Sequence, residues 1–434
     1  MGDQLSIDEF SEPTEDTADR KMVRLKHLAQ INPTKSELDD LDSKTDVSFI
    51  PLNSFGTDGE IKQKQTRTLE EVYDGYTYFQ EGDIAIAKIT PSFENRKGAI
   101  CRDLKNGIGF GTTELHILRP GDMLSTRYLW YILRGKKFRS EAIASMHGVA
   151  GQQRIPRDMV ENFKIQLIPK DKQIEVADYL DMEVKKINTL IENLNELSDL
   201  MSQRDTAVIT RNVSSLSPPH INGEFESALD ENVQSVKLGY CCDSIVDAVN
   251  ETAPTTKDGY GYMIRTSQIR NGKLDLDNAD MVDKEVFEEW NRRAVPEPGD
   301  IIFTREAPVG EACIVPENKK VILGQRMMLI RPDEAILNPQ YLLYWLYSKP
   351  AKYQYNLFTH GSTVKHLRVK DVPNLELELP PIDIQNRIVD EISQLRARTE
   401  KLTEKVGKMT TLLEEKRQAV ITAAVTGQID MSAE

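Results

Sequence analysis

The sequence predicts an α+β protein in which two α/β domains, related by an internal repeat with pseudo-twofold symmetry, are separated by two long antiparallel coiled-coil helices. Three observations predict this fold: the two halves of the 434-residue chain match each other, each half ends in a long helix, and both helices share one apolar register. The predicted order is an acidic disordered tail (1–20), domain 1 (21–170), helix 1 (171–213), a linker (214–232), domain 2 (233–381), helix 2 (382–425) and a C-terminal tail (426–434).

The repeat is visible as matched segments at a nearly constant offset. Arg127-Tyr-Leu-Trp-Tyr131 aligns with Gln340-Tyr-Leu-Leu-Tyr344 at an offset of 213, and Gln173 aligns with Gln385 at 212. Upstream, GDIAIAKITP starting at residue 82 resembles GDIIFTREAP starting at 299. A repeat of this length is too long for a solenoid, so it indicates a duplicated domain with its connector.

Each half has the same internal order of elements. Short apolar runs punctuated by Gly, Pro and Asp, such as VSFIPLNSFGTDGEI and GYMIRTSQIRNGKL, predict strands and turns. One helix is expected around RYLWYILRGKKFRSEAI in the first half and around QYLLYWLYSKPAKYQYNL in the second. A glycine-started loop, a strand ending in IP or LPP, and the long helix follow.

The two long helices carry the clearest periodic signal, because apolar residues recur at steps of three and four, as in a coiled-coil seam. A helix of this length with one apolar seam needs a partner, and the other repeat supplies one; an antiparallel pair would place the two domains at opposite ends of a rod. The alternative is that each helix packs only on its own domain. The seam is expected at Leu180, Ile187, Leu190, Leu194, Leu197 and Met201 of helix 1, and at Ile392, Leu395, Leu402, Val406, Met409 and Leu413 of helix 2.

The net charge of −14 is unevenly distributed. Residues 1–19 contain seven acids and no base, whereas residues 82–170 contain fifteen Lys or Arg and eight Asp or Glu. Residues 338–370 contain five Lys or Arg and no acid. Because screening at physiological salt limits exposed charges to a range of about 8 Å, these basic stretches can bind an anion despite the acidic total.

Several classes of protein are excluded by composition and missing motifs. No run of about 18 apolar residues and no secretory signal is present, so we expect a cytoplasmic protein without a membrane partner. Four cysteines are too few for a disulfide framework, and no His or Cys spacing suits a metal. The chain lacks a phosphate-binding GxxxxGK[ST] loop, a dinucleotide-binding GxGxxG, and the Asn-Pro-Pro-Tyr element of amino methylation. No catalytic residue is predicted.

What remains is recognition of an anionic polymer, for which Lys and Arg suit phosphates while Arg, Lys, Asn and Gln suit base edges. The loops TPSFENRKG and HGVAGQQRIPR in domain 1, and HGSTVKHLRVK in domain 2, concentrate such residues behind glycines. The candidates for contact with bases are Glu94, Asn95, Arg96, Lys97, Gln152, Gln153, Arg154, Arg305, Arg326, Ser362, Thr363, Lys365 and His366. The candidates for contact with phosphates are Lys88, Arg134, Lys136, Lys137, Arg139, Lys349 and Lys352.

These segments resemble the specificity subunit of type I restriction-modification systems. The resemblance lies in the duplicated order of GDIAIAKITP, GTTELHILRP, GQQRIP and VADYLDMEVKKINTLI, repeated by MMLIRP, LELPPIDIQNRIVDEI and KRQAVITAAVTGQI, and it covers residues from about 21 to 430. It implies two target-recognition domains, each reading one half of a bipartite, asymmetric site in double-stranded DNA, with the helices setting the unread spacer.

The same resemblance implies the partners and cofactors. Two DNA adenine methyltransferase subunits would bind the chain, and restriction subunits with ATP-driven translocation could join them. S-adenosylmethionine, ATP and Mg would be held by those partners and none by this chain. Two departures are the acidic tail before Arg20 and the acidic net charge. The alternatives are a coiled-coil adaptor that presents two protein-binding domains, and a single-chain DNA-modifying enzyme.

Overall fold

The computed structural model describes residues 22–148, 151–214, 233–359 and 366–429, and the chain divides into two compact units. Unit 1 contains Met1–Asn193 with Lys408–Glu434, and unit 2 contains Leu194–Gly407. The predicted tail 1–20, residues 215–232 of the predicted linker and the last five residues lie outside the described residues.

Unit 1 combines two four-stranded sheets with short helices. One sheet has the strand order β2-β9-β6-β7 and the other β4-β3-β8-β5, while β1 and β10 form an antiparallel ribbon. The elements are β1 (Met22–Arg24), β2 (Ala29–Ile31), β3 (Asp46–Ile50), β4 (Gln65–Thr68), α1 (Leu69–Val72), β5 (Thr77–Gln80), β6 (Ile84–Ala87), β7 (Gly98–Ile100), β8 (Ile108–Gly111), β9 (Leu115–Pro120), α2 (Thr126–Arg134), α3 (Lys136–Ala144), α4 (Arg157–Asn162), β10 (Lys164–Gln166) and the long helix α5 (Lys170–Val213).

Unit 2 repeats much of this arrangement. Its four-stranded sheet has the order β12-β20-β17-β18, a three-stranded sheet has the order β16-β13-β19, and β11 pairs with β21 as β1 pairs with β10. The elements are β11 (Ser235–Lys237), β12 (Cys242–Asp247), β13 (Gly261–Ile264), β14 (Ile269–Arg270), β15 (Lys273–Leu274), β16 (Asp280–Val282), α6 (Lys284–Trp290), β17 (Ile301–Thr304), β18 (Ala312–Ile314), β19 (Val321–Leu323), β20 (Met327–Pro332), α7 (Pro339–Leu346), α8 (Lys349–Phe358), β21 (Glu376–Glu378) and the long helix α9 (Ile382–Val425).

The α+β fold class and the repeat are confirmed, but the helix expected before each glycine loop is two helices. In unit 1 the chain breaks at Gly135, which precedes α3, and the backbone N–H of Lys136 donates to Thr422 Oγ1 at 3.3 Å. In unit 2 the break follows Leu346, because Pro350 has no N–H and suits a first helical turn, with Ser348 as its N-cap. Lys349 N donates to Thr210 Oγ1 at 3.1 Å.

The two long helices run in opposite directions within each unit. In unit 1, Arg417 Nη1 donates to Asn188 Oδ1 at 2.6 Å, and Leu180 shares a core with Ile421. In unit 2, Thr399 Oγ1 donates to Asp205 Oδ1 at 3.1 Å, and Ile209 shares a core with Ile392. Since α5 and α9 both contribute to both units, each unit is built from its own domain and from parts of two helices.

The side chains buried between the two long helices differ from the expected apolar seam at every second position of that seam. Leu190, Leu197, Leu402 and Met409 are 50%, 45%, 50% and 55% exposed, whereas Leu180, Ile187, Met201 and Ile392 are buried. Leu194, Leu395, Val406 and Leu413 are half-buried.

The difference has a simple physical reason, because two seams of period 3.5 pass through Ile187, Leu194 and Met201. One continues through Leu190 and Leu197, and the other through Ile191 and Ser198. The structure uses the second, whose side chains are more buried. That seam continues to Asp205, seven residues after Ser198, where the hydrogen bond with Thr399 is made.

A buried glutamine joins each long helix to its domain. Gln173 Oε1 accepts from Ser125 N at 2.8 Å, and its Nε2 donates to the carbonyls of Met123 and Ile168, each at 2.9 Å. Gln385 makes the matching set, with Asn338 N at 2.9 Å and the carbonyls of Ile336 and Pro380 at 2.8 Å. Both glutamines are fully buried, so these bonds replace water that the backbone groups cannot reach.

A buried ion pair also recurs in the two units. Arg119 donates to both carboxylate oxygens of Asp83 at 2.8 and 2.9 Å, and Arg331 does the same to Asp300 at 2.8 and 2.7 Å. The aspartates are 1% and 3% exposed. In each case a β9 or β20 residue is fixed to the turn that precedes β6 or β17, which orients the loop at the far end of that strand.

We expect Gln173→Leu to lower the free energy of unfolding by about 3 kcal/mol, because the substitution leaves one N–H and two carbonyls buried without partners. Calorimetric unfolding of the whole chain measures the change. The control is Gln203→Leu, the same chemical change at an exposed position of α5. Equal destabilisation by the two substitutions would contradict the assigned role.

Candidate nucleic-acid interface

Three segments meet at one edge of the sheet in unit 1: the loop after β6, the residue before β9, and the end of the glycine loop. Lys88 N donates to Glu114 O at 3.0 Å, and Ile155 N donates to Lys88 O at 2.9 Å. The glycine loop closes on itself, since His147 and Arg154 exchange backbone hydrogen bonds of 3.1 and 2.9 Å. Main-chain bonds therefore hold the two predicted recognition loops side by side.

Unit 2 has the same backbone arrangement at the equivalent positions. Arg305 N donates to Arg326 O at 2.8 Å, and Leu367 N donates to Arg305 O at 2.9 Å. The side chains are different, since Lys88, Glu114 and Arg154 of unit 1 correspond to Arg305, Arg326 and His366 of unit 2. The repeat thus keeps a scaffold and changes the polar groups that it presents.

Arg154 is an exposed residue whose guanidinium is already paired. Its Nε and Nη2 donate to the two carboxylate oxygens of Glu114 at 2.8 and 2.9 Å. These hydrogen bonds hold the pKa of the Glu114 carboxyl below its usual range. Gln152 and Gln153 are exposed; Thr90 N of the neighbouring loop donates to Gln153 O at 2.9 Å, and Gln153 N donates to Thr90 Oγ1 at 3.0 Å.

The loop 90–98 is anchored by an aromatic ring. Phe93 is buried, and the Arg139 guanidinium lies 4.7 Å from its centroid while donating to the carbonyls of Phe93 and Glu94 at 3.0 Å. Burial lowers the pKa of Arg139 to about 10 and also lowers that of Arg96. Of the remaining candidates, Glu94 and Asn95 are exposed, and Lys97 and Lys88 are half-buried.

The predicted basic stripe separates into inward and outward residues. Arg134 is 7% exposed, donates to Thr57 O at 2.9 Å and pairs with Asp58, and burial lowers its pKa to about 10. Its guanidinium therefore lies in the interior, which argues against the phosphate contact predicted for Arg134. Arg139 is half-buried, and its phosphate contact stays a prediction. Lys136 and Lys137, by contrast, are exposed at the start of α3.

The described base-contact candidates of unit 2 lie at the equivalent edge of its sheet. Arg305 is half-buried and donates to Asp247 Oδ1 at 3.1 Å and to Leu367 O at 3.1 Å. Arg326 is exposed, 3.6 Å from Glu306, and Glu306 pairs with His366 through the backbone. Ser362, Thr363 and Lys365 lie outside the described residues. Lys349 and Lys352 are exposed on the first turn of α8.

Sequence reasoning missed the carboxylates that hold these arginines. Glu114 of the first repeat aligns with Arg326 of the second. This change from acid to base at equivalent positions was visible in the alignment of the two repeats and could have drawn attention to Glu114. Asp58 and Asp247 had no such signal, because they are brought to Arg134 and Arg305 only by the tertiary fold.

A buried histidine lies directly beneath the loop of Arg154. His116 is 3% exposed; its Nε2 is 2.9 Å from Ile155 O, and its Nδ1 is 3.3 Å from Asn32 Nδ2. A neutral ring that donates from Nε2 and accepts at Nδ1 satisfies both contacts. Burial lowers the pKa of His116, which favours that neutral form.

The described residues offer little material for catalysis. They contain no cluster of His, Cys, Asp and Glu that could hold a metal. The four cysteines are unpaired, and burial raises the pKa of Cys242 and of Cys313 to about 12, so neither is a ready nucleophile. Within the same described ranges, every helix is too short or too polar to cross a membrane.

The comparisons with known proteins define the class. A family model described as "Type I restriction modification DNA specificity domain" matches residues 231–408. The EcoAI specificity subunit of Escherichia coli is 41% identical over 170 residues, which are 38% of this chain and 28% of that protein. The EcoEI specificity subunit of Escherichia coli is 38% identical over 176 residues, which are 40% and 29%. Residues 231–408 therefore match the DNA specificity domain of type I restriction-modification systems.

The match with those two relatives spans less than one third of their length. A putative specificity subunit, MjaX of Methanocaldococcus jannaschii, is 24% identical over 83% of this chain and 82% of that one. Among solved structures, a chain from a study of complex assembly and conformational transition of the type I R-M system has a TM-score of 0.72 at 17% identity, covering 96% of this chain and 100% of that one. The HsdS subunit from Thermoanaerobacter tengcongensis has a TM-score of 0.50 at 18% identity over 96% and 99%. These two show a common fold.

We expect acidification to destabilise unit 1 through His116. Because its pKa is lowered in the folded chain, the unfolded chain binds a proton more readily, so the stabilisation is present above about pH 6.5 and is lost as the pH falls below it, by about 1 kcal/mol per pH unit. Thermal unfolding between about pH 7.5 and pH 5 should show a smaller loss for His116→Gln than for the unchanged chain. His27→Gln, at an exposed turn, is the control; a loss in H116Q equal to that of the unchanged chain would refute the prediction.

Proposed function

We propose that this chain is the DNA sequence-specificity subunit of a type I restriction-modification complex and is itself non-catalytic. Each target-recognition domain reads one half of a bipartite, asymmetric site in double-stranded DNA. The pair of long helices sets the spacer between the half-sites and docks two adenine methyltransferase subunits. S-adenosylmethionine, ATP and Mg are bound by the partner subunits, which include the methyltransferase subunits and any restriction subunits. The complex works in the cytoplasm.

The observation that carries this proposal is the shared scaffold with exchanged side chains. Equivalent backbone hydrogen bonds hold Lys88 and Arg305 at the same place, while their neighbours change from Glu114 and Arg154 to Arg326 and His366. Base edges are distinguished by which donors and acceptors face them, and Arg, Lys and Glu select different bases. Two such sets on one scaffold suit a site whose halves differ in sequence.

The exposed lysines support the phosphate contacts. Lys136 and Lys137 begin α3, and Lys349 begins α8, at equivalent positions of the two repeats. At α3 Thr422 accepts only the N–H of Lys136, and the first turn of a helix favours an anion. At α8 Thr210 accepts from Lys349 N, Ser348 Oγ accepts from Ala351 N and Pro350 has no N–H, so the lysine side chains supply the contact there. A phosphate at either place fixes the register of the duplex without reading its sequence.

The helices offer apolar side chains for protein partners. Within unit 1 these include Leu190, Met409 and Leu412, and within unit 2 they include Leu197, Leu200 and Leu402, all between 45% and 63% exposed. Large apolar side chains that repeat on exposed faces are typical of protein-protein contact. This is where we place the docking of the methyltransferase subunits.

The function is tested by binding of the chain, with and without its methyltransferase partner, to duplex DNA over a range of salt concentrations. Contact with phosphates predicts that the logarithm of the binding constant falls linearly with the logarithm of salt. A coiled-coil adaptor for proteins would show no such dependence. Sequencing of adenine methylation in a host that carries the complex then gives the bipartite site.

We expect Arg154→Ala to weaken or relax recognition at one half-site by about 1–3 kcal/mol and to spare the other. The reason is that Arg154 belongs to one domain and donates through a planar guanidinium, which suits a base edge. Methylation at sites altered in one half or the other measures it. The matched control is Arg157→Ala, an exposed arginine paired with Glu161 four residues further on. Equal loss at both half-sites would contradict independent domains.

We expect the spacer to lengthen when seven residues are inserted in each long helix, after Asn193 and after Gly407. Seven residues preserve the heptad register and add about 10 Å of helix, which is about three base pairs of duplex. The half-site sequences should be unchanged in the methylation map. A matched control inserts seven residues in one helix only, which breaks the pairing. An unaltered spacer with both insertions would remove the helices as its determinant.

A further inference from the structure

A cleft of about 120 Å³ in unit 1 lies beside the first described residue of the chain. It is formed by β1, β10, the start of α3 and the end of α9. Its apolar wall includes Met22, Ile132, Phe163 and Val425, and its rim carries Lys136, Lys137 and Lys164. All three lysines are exposed. The cleft therefore combines an apolar wall with a concentration of positive charge.

Among the described residues, no acid pairs with the basic side chains of this cleft. In the ribbon of β1 and β10, Arg24 lies directly opposite Lys164, and like charges in that position destabilise a strand pair. In the part of the chain that the structure describes, neither residue forms an ion pair, and the same holds for Lys136 and Lys137. An anionic group in the cleft would remove this repulsion.

The equivalent place in unit 2 shows what a balanced arrangement looks like. There Lys237 lies opposite Glu376, so the strand pair carries opposite charges. The carboxylate of Glu378 also lies there. Ser214 Oγ, from the residue after α5, donates to Glu378 Oε1 at 3.0 Å, and Tyr341 OH donates to Glu378 O at 2.9 Å. Unit 2 therefore serves as an internal reference. Its basic strand residue is balanced by acids, whereas the basic residues of the unit 1 cleft are not.

The chain that leads into this cleft has the complementary chemistry. The first 19 residues carry seven acids and no base, and Leu5, Ile7 and Phe10 stand among them. Phe10 is twelve residues before Met22, a span that reaches at most about 40 Å. We propose that the segment 3–16 binds in the cleft of its own chain, with Phe10 against the apolar wall and with Asp8, Glu9 and Glu12 facing the lysines.

Occupation of the cleft has a consequence that rests on the proposed function. Lys136 and Lys137 are proposed contacts for DNA phosphates, so the acidic segment and the duplex compete for the same two lysines. The segment would lower binding to arbitrary DNA, which depends on phosphate contacts alone, more than binding to the specific site. It thus acts as a built-in competitor that raises discrimination.

The docking is tested in the full chain, without DNA, by placing the photo-crosslinker p-benzoyl-L-phenylalanine at position 10. Irradiation and peptide mapping should find crosslinks concentrated in the segments around Lys136–Phe138, Lys164–Gln166 and Thr422–Thr426. Crosslinks spread over the surface, or concentrated elsewhere, would overturn the proposal.

Charge variants make the test specific. Lys164→Glu gives β1 and β10 the charge pattern that β11 and β21 already have, so the ribbon should still form, while crosslinking at the cleft should fall about fivefold as an attraction becomes a repulsion. Lys62→Glu, an exposed lysine of unit 1 outside the cleft, makes the same change in net charge and should leave the yield unaltered. Equal yields for both variants would show that only the total charge matters and would refute docking.

Added DNA separates this proposal from the proposed function. Duplex DNA in excess should abolish the crosslinks. Removal of residues 2–19 should raise the affinity for arbitrary duplex DNA. Replacement of these residues by a tail of the same composition in scrambled order should raise that affinity as well, because the scrambled tail does not bind in the cleft, but by less than removal does. Crosslinks at the cleft that persist in excess DNA leave the docking intact and count against Lys136 and Lys137 as phosphate contacts. Equal affinities for the native and scrambled tails would overturn the competition.

Discussion

The buried glutamine at the start of each long helix is the constraint on which the architecture depends. Gln173 and Gln385 each satisfy three backbone groups that have no access to water, two of them in the segment that leads into α2 or α7. An amide is suited to this task because it donates and accepts at once, whereas a carboxylate of the same length only accepts. The direction of each long helix is thereby fixed relative to its own domain.

Each unit is completed by a helix end that comes from the other half of the sequence. Thr422, near the end of α9, caps α3 in unit 1, and Thr210, near the end of α5, caps α8 in unit 2. Ile421 and Ala424 belong to the core of unit 1, as Ile209 belongs to that of unit 2. Neither half of the sequence can therefore bury its core alone, which links the stability of the two domains through the helix pair.

The sequence predicted what periodicity and repetition record, and it failed where tertiary contacts decide. The repeat, the α+β class and the two long helices follow from apolar spacing and from matched segments. The seam could not be chosen, because Leu190 and Ile191 offer equivalent heptads and the polar contact of Asp205 with Thr399 favours the less apolar one. Likewise arginine is a residue type expected at the surface, but hydrogen bonds to Thr57 and Asp58, which are remote in sequence, hold Arg134 in the interior.

At the sheet edge formed by Lys88, Glu114 and Ile155, the atoms that hold the loops differ from the atoms that the loops present. The hydrogen bonds that align Lys88 with Glu114 and Ile155 use only main-chain atoms, and unit 2 repeats them with Arg305, Arg326 and Leu367. Main-chain bonds do not depend on the side chain, so a residue here can change from acid to base without moving the loop. In the proposed base contact, the ion pair of Arg154 with Glu114 adds a second control, because a base edge has to offer more than that carboxylate does before the guanidinium turns to it. On that proposal, Glu114 competes with the base for the guanidinium, and partners that bind Arg154 weakly do not displace the carboxylate.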